Sequence, residues 1–165
     1  MTDFGPGPAL CRAALALALA RTDPEAALEA AQPEAPGPGR ARDEWADAWL
    51  RYARAEVLRW EGDVSTARTL VASALRTHLA YGSVVGALCA AELLADAAAL
   101  SGDPVLAARL HGAADASRSG TGTLDPYVEP VRRRCEAALA AGLTAERRAQ
   151  AYAEGASAGL RGLMS

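Results

Sequence analysis

The sequence predicts an all-α protein, a stack of about four antiparallel helical hairpins, and three observations carry that reading. Three segments spaced forty residues apart begin alike: Asp23-Pro24 with Ala27, Asp63-Val64 with Ala67 and Leu70, and Asp103-Pro104 with Ala107 and Leu110. A fixed period of this size marks a helical pair repeated along the chain, each pair burying the apolar face of the last. The chain is 51% apolar but only 5% aromatic. Alanine and leucine must therefore supply most of the core, which favours closely packed helices over a sheet. No segment alternates apolar and polar residues with the period of a strand.

The elements follow in order. Pro8 to Arg21 reads as a helix, with proline at its start and an unbroken Ala/Leu run. Asp23 caps a short helix to about Ala31, completing a first hairpin over residues 1–31. Residues 32–42, with three prolines and two glycines, form a loop. Asp43 caps a helix to Trp60 and Gly62 ends it; Asp63 caps the next, to Tyr81, where Gly82 stops it. These make a second hairpin over 43–82. A third, over 83–118, starts at Ser83, turns at Gly102-Asp103 and ends near Arg118. After the loop Ser119–Asp125, a C-terminal helical pair spans 126–159, with Thr144 capping its second helix. Leu160–Ser165 is expected to fray.

At 165 residues the chain suits one domain able to bury roughly 70% of its unfolded surface. It contains no Lys, so Schiff-base and phosphate-loop lysines are excluded. A net charge of −3 speaks against general affinity for nucleic acid or anionic membrane. The clusters Arg132-Arg133-Arg134 and Arg147-Arg148 read as solvated helix faces. Three scattered cysteines, Cys11, Cys89 and Cys135, with no C-x-x-C, argue against a disulfide framework or zinc site and for a reducing cytoplasm. No run approaches the 18 apolar residues of a membrane span. No cofactor and no metal are expected.

The glycine-acid turns and their flanking alanines resemble tetratricopeptide-type repeats. That family keeps small residues within the first helix of a hairpin and at two places after the turn acid. Here those places hold Ala55, Ala67 and Ala74 in the second hairpin, and Ala95, Ala107 and Ala114 in the third. Small side chains let helix axes approach closely. The first hairpin departs, with Leu15 and Glu34 at two of its small positions. The period of forty also exceeds the ~34 usual for these repeats.

The resemblance implies a concave surface lined by the first helix of each hairpin. By register it would present Trp49, Tyr52, Glu56, Arg59 and Trp60 from the second hairpin, and Cys89, Glu92, Asp96 and Leu100 from the third. The first hairpin would add Arg12, Ala16 and Leu19. Aromatic and arginine side chains are frequent anchors for binding partners. On sequence alone the same aromatics could instead fill gaps between alanine-rich helices, and both readings stand.

From Gly102 the chain reads GDPVLAARLHGAADASR, then a glycine-containing loop, a charged helix and AGLTAERRAQAYAEG. This resembles the C-terminal segment of actinobacterial LuxR-type and AfsR-like regulators with a signal-transducing ATPase module, over roughly Leu70 to Gly155. Tyr152 stands where those proteins usually carry tryptophan. The resemblance implies a sensor or interaction region, engaging a protein, a peptide or a small-molecule effector. No G-x-x-x-x-G-K-[ST] is present, and no segment is left for a helix-turn-helix unit.

Two alternatives remain. Glu92 and Asp96 lie four apart on one helix, His111 and Asp115 four apart on the next, and together they could form a carboxylate-rich centre. Read as a stand-alone enzyme of secondary metabolism, the chain would use Asp96, Glu92 and His111, with burial raising a carboxyl pKa for general acid/base work. A packing role for His111 is the simpler reading, and no catalytic residue is expected. His78 reads as a surface or interface residue. The last alternative is a structural homodimerisation unit, since an open repeat stack leaves apolar end faces. The favoured function is non-catalytic binding.

Overall fold

A computed structural model describes residues 7–33, 43–118 and 128–164. The described residues are all-helical, and eight helices follow in order. These are α1 (Pro8–Leu19), α2 (Pro24–Ala30), α3 (Glu44–Glu61) and α4 (Val64–Ala80), then α5 (Val84–Leu100), α6 (Pro104–Arg118), α7 (Val128–Gly142) and α8 (Ala145–Met164). The expected loop Ser119–Asp125 and most of the expected loop 32–42 lie outside the described residues, as does Glu34.

The helices start where the turn acids place them. Asp23, Asp43, Asp63 and Asp103 each accept, through Oδ1, the backbone N–H three residues on, at 3.1, 3.0, 3.1 and 3.2 Å. Thr144 does the same for Arg147 at 3.2 Å. Each bond satisfies one amide that a helix start leaves without an intrahelical acceptor. Gly62 and Gly102, at φ 91° and 78°, supply the left-handed turn that ends the preceding helix. The C-terminus differs from expectation. Leu160 to Met164 are helical beyond a break at Gly159 rather than frayed.

The described residues group into two compact units divided between Thr77 and His78. In the first, α1 packs on α2 and α3. Its contacts are mostly alanine: Ala13, Ala16 and Ala53 around Leu50, then Ala20 and Ala27 around Val57. Ala67, Val71, Ala74 and Leu75 of α4 are fully or almost fully buried. Arg51 of α3 donates to Thr77 Oγ1 at 3.0 Å.

In the second unit α5 is the central helix, with every residue from Cys89 through Ala98 buried. Helices α6 and α7 both lie against α5, and α8 runs along α6. Two glycines bring α6 and α8 together. A Cβ on Gly112 would collide with the Tyr152 carbonyl, and one on Gly155 with the Arg109 carbonyl. Here backbone meets backbone, so no rotamer change could relieve the clash. His78, expected at a surface or interface, is fully buried. Its imidazole occupies the space that a Cβ on Gly86 would need.

The six alanines expected to need close packing (55, 67, 74, 95, 107 and 114) are all at most 1% exposed. Leu15, which breaks the pattern, is 52% exposed, and Ala27 is fully buried.

Candidate functional site

Helix period places Glu92 on α5, and His111, Asp115 and Arg118 on α6, along facing stripes of the second unit. The charged helix α7 brings Arg132 between them, and α8 adds Tyr152. Arg132 is the hub. Its Nη1 donates to Glu92 Oε1 at 3.0 Å and to Asp115 Oδ1 at 2.6 Å; its Nη2 donates to Asp115 Oδ2 at 2.6 Å. Its Nε reaches Glu136 at 3.2 Å. Arg118 donates to Glu92 Oε1 at 2.8 Å and also to Asp115. His111 Nε2 lies 3.2 Å from Glu92 Oε2, and the Tyr152 hydroxyl donates to Asp115 Oδ2 at 2.7 Å. One network thus ties four helices together.

The electrostatics follow from these contacts. Burial opposes the charge on Glu92, whose side chain is 1% exposed. His111, Arg118 and Arg132 more than offset it and hold the carboxyl below its ordinary value. Burial likewise opposes charge on Asp115. Hydrogen bonds from Arg132 and Tyr152 and the two guanidinium charges prevail, so its pKa is also lowered. The expectation that burial would raise the pKa of a groove carboxylate therefore fails for Glu92. A carboxylate held ionised by two guanidinium groups is a poor proton donor at neutral pH. The phenol of Tyr152 is pushed up, first by its bond to Asp115.

Of the four residues suspected of forming a carboxylate-rich centre, Glu92, His111 and Asp115 meet. Asp96, one turn along α5, lies instead 3.7 Å from Arg134 Nη2 and is 1% exposed. Among the described residues, no group of three or more His, Cys, Asp or Glu is placed to hold a metal ion. Cys89 is buried. Beside the hub a cavity of about 440 Å³ opens between α6, α7 and α8. His111, Arg132 and Tyr152 form its polar wall, Leu139 and Ala149 its apolar one, and Arg148 lines it as well.

The first unit holds the three tryptophans. On α3, Trp45, Trp49 and Tyr52 form an edge-to-face row, with ring centroids 6.4 and 6.0 Å apart. Tyr52 is buried, while Trp49 is half-buried against the Ala13–Ala16 face of α1. Trp60 differs: it is 37% exposed, with the guanidinium groups of Arg59 and Arg21 at 4.5 and 5.3 Å from its ring. Its indole Nε1 donates to Glu56 Oε1 at 3.1 Å. Arg12, also expected at the surface, donates from Nε to the Ala30 carbonyl at 3.1 Å and thereby ties α1 to α2.

Comparison with family models, curated proteins and solved structures gives no match. Sequence reasoning missed Arg118, Arg132 and Trp45. Arg132 belongs to a run that reads as solvated, yet its side chain is only 12% exposed; Arg133 beside it, at 75%, behaves as expected. The spacing of Arg118 three after Asp115, and of Trp45 four before Trp49, was the available signal. Among the described residues, no helix is long and apolar enough to cross a membrane.

Proposed function

We propose that this chain is a non-catalytic binding module of tetratricopeptide-like hairpins, related to the sensor or interaction region of LuxR-type and AfsR-like regulators. Its partner is a protein, a peptide or a small-molecule effector, not a nucleic acid or a membrane. The observation that carries this reading is Trp60, an exposed indole flanked by two guanidinium groups and bonded to Glu56. An aromatic side chain that is both accessible and held in one orientation costs little entropy to dock, which is what binding anchors need. The burial of the six regularly spaced alanines and the four aspartate caps support the repeat architecture. The enzyme alternative, with Asp96, Glu92 and His111, is disfavoured because Glu92 is neutralised by its arginines and locked in place.

The test is native mass spectrometry of the full chain purified from its own host, followed by thermal melting with whatever is released. We expect a retained ligand that raises the melting temperature, and Trp60→Ala to lose it while folding survives. A bare polypeptide counts against the reading. A homodimer with Trp60 at its interface would favour the dimerisation alternative instead.

A further inference from the structure

The second unit contains another cavity, of about 360 Å³, at the opposite end of α8 from the polar hub. Local sequence builds it. Gly159, at φ 67° and ψ 169°, adopts a conformation essentially open only to glycine and breaks α8. The break turns Leu160 inward, to 4% exposure, and carries Arg161 across to α4. There Arg161 Nη2 donates to the Leu79 carbonyl at 2.7 Å, so the last turn of α8 becomes one wall of the cavity. Leu79, Val84, Leu88, Ala158 and Leu160 supply an apolar lining.

The polar side chains on this lining are His78, Ser83, Ser117 and Arg161. Ser83 starts α5, but its side chain makes no capping bond, unlike the four aspartates. Ser117 and Arg161 also face the cavity, and no carboxylate among the described residues lines it. Arg161 forms no ion pair with any carboxylate among the described residues, and one bond to Leu79 leaves most of its five N–H donors available. In a chain of net charge −3 this is an apolar cavity with a cationic rim and no described anion to balance it. Its volume is at the lower end of the ~300–1,000 Å³ typical of small-ligand sites.

We propose that this cavity binds a small apolar monocarboxylate, its hydrocarbon body against Val84, Leu88 and Leu160 and its carboxylate on Arg161 with help from Ser83. The guanidinium is suited to a carboxylate by its planar donor fork, and the apolar walls remove the body from water. The proposal goes beyond the binding-module reading: it adds a separate site in the second unit that does not depend on Trp60.

The test is calorimetric titration of the full chain with decanoate, decanol and acetate. Saturable binding of decanoate, with decanol and acetate at least about tenfold weaker, is expected. Arg161→Gln, which keeps a donor for Leu79 but removes the charge, is expected to weaken decanoate by about tenfold. Ala158→Leu, at an exposed position on the lining, is expected to block it by filling the space, and Trp60→Ala to leave it unchanged. Circular dichroism confirms that each variant folds. Absence of saturable decanoate binding, equal affinity for decanol, or an unaltered Arg161→Gln variant would each overturn the proposal. If decanoate fails while a native ligand is still lost on Trp60→Ala, the binding-module reading stands and only the monocarboxylate falls.

Discussion

Arg132 on α7 bridges two carboxylates from two other helices: Glu92 of α5 at 3.0 Å and Asp115 of α6 at 2.6 Å. Glu92 could not stay ionised at its depth without such a partner, since an unpaired ion in the interior costs several kcal/mol (~3 or more). The guanidinium suits this position because its donors lie in one plane and reach two acceptors at once. A lysine would offer a single point charge. The hub therefore acts as a register for the second unit, fixing which turn of α5 faces which turn of α6 and α7.

Replacing the central carboxylate should expose that dependence. Glu92→Gln leaves Arg118 and Arg132 with a weaker acceptor in a site that is 1% exposed on the carboxylate side. The expected loss is about 3 kcal/mol, read by chemical denaturation. A double-mutant cycle with Arg132→Met should be non-additive, because the second change removes a partner whose bond to position 92 the first has already weakened. Strict additivity would show that the two groups do not act as a pair.

Stability should fall in acid for the same reason. The pKa of Glu92 is lowered from 4.5 in the folded protein, so the unfolded chain takes up its proton first. The contribution is then complete above the ordinary glutamate value and is lost as pH falls through the lowered folded one. Asp115, lowered from 3.8, acts in the same direction over a more acidic range. Denaturation midpoints measured from pH 7 down to pH 3 should hold steady and then drop below about pH 4.5. In Glu92→Gln the plateau should be lower and the drop smaller.

The contact between α6 and α8 should tolerate nothing larger than glycine. Gly155→Ala directs a methyl group at the Arg109 carbonyl, and only separation of the helices can relieve it. A loss of about 1–3 kcal/mol is expected from such overpacking. Gly142→Ala serves as the control, because its Cβ would sit at an ordinary 3.5 Å from Pro104. Similar melting temperatures for the two variants would contradict the close approach.

The thiols should separate by exposure. Cys11 is exposed, whereas Cys89 and Cys135 are buried. Burial, reinforced by the nearby carboxylates of Asp96, Glu92 and Glu136, pushes the Cys135 thiol up to about 12. With little thiolate and no access, it should resist alkylation. Iodoacetamide at mildly alkaline pH should label one cysteine per native chain, Cys11, and all three after denaturation. Rapid labelling of Cys135 in the native protein would show that α7 lifts from α5.

Much of the fold was legible in the sequence because it depends on neighbours in the chain. An aspartate caps the helix that follows it, and a glycine ends the helix before it, so Asp43, Gly62, Asp63, Gly102 and Asp103 marked their boundaries without tertiary information. The resemblance to tetratricopeptide-type repeats likewise pointed to Ala55, Ala67, Ala74, Ala95, Ala107 and Ala114, which are buried. What the sequence could not reveal was which charges would meet. Arg118 and Arg132 lie 26 and 40 positions from Glu92, and their pairing with it depends on how α6 and α7 lie against α5. The same arginine run supplies a buried hub at Arg132 and a solvated surface residue at Arg133, because neighbouring positions on a helix point about 100° apart. Only packing could tell them apart. The backbone propensities of this chain are thus local and readable, whereas the charge of a carboxylate, its burial and its pKa are set by groups that chain connectivity does not bring together.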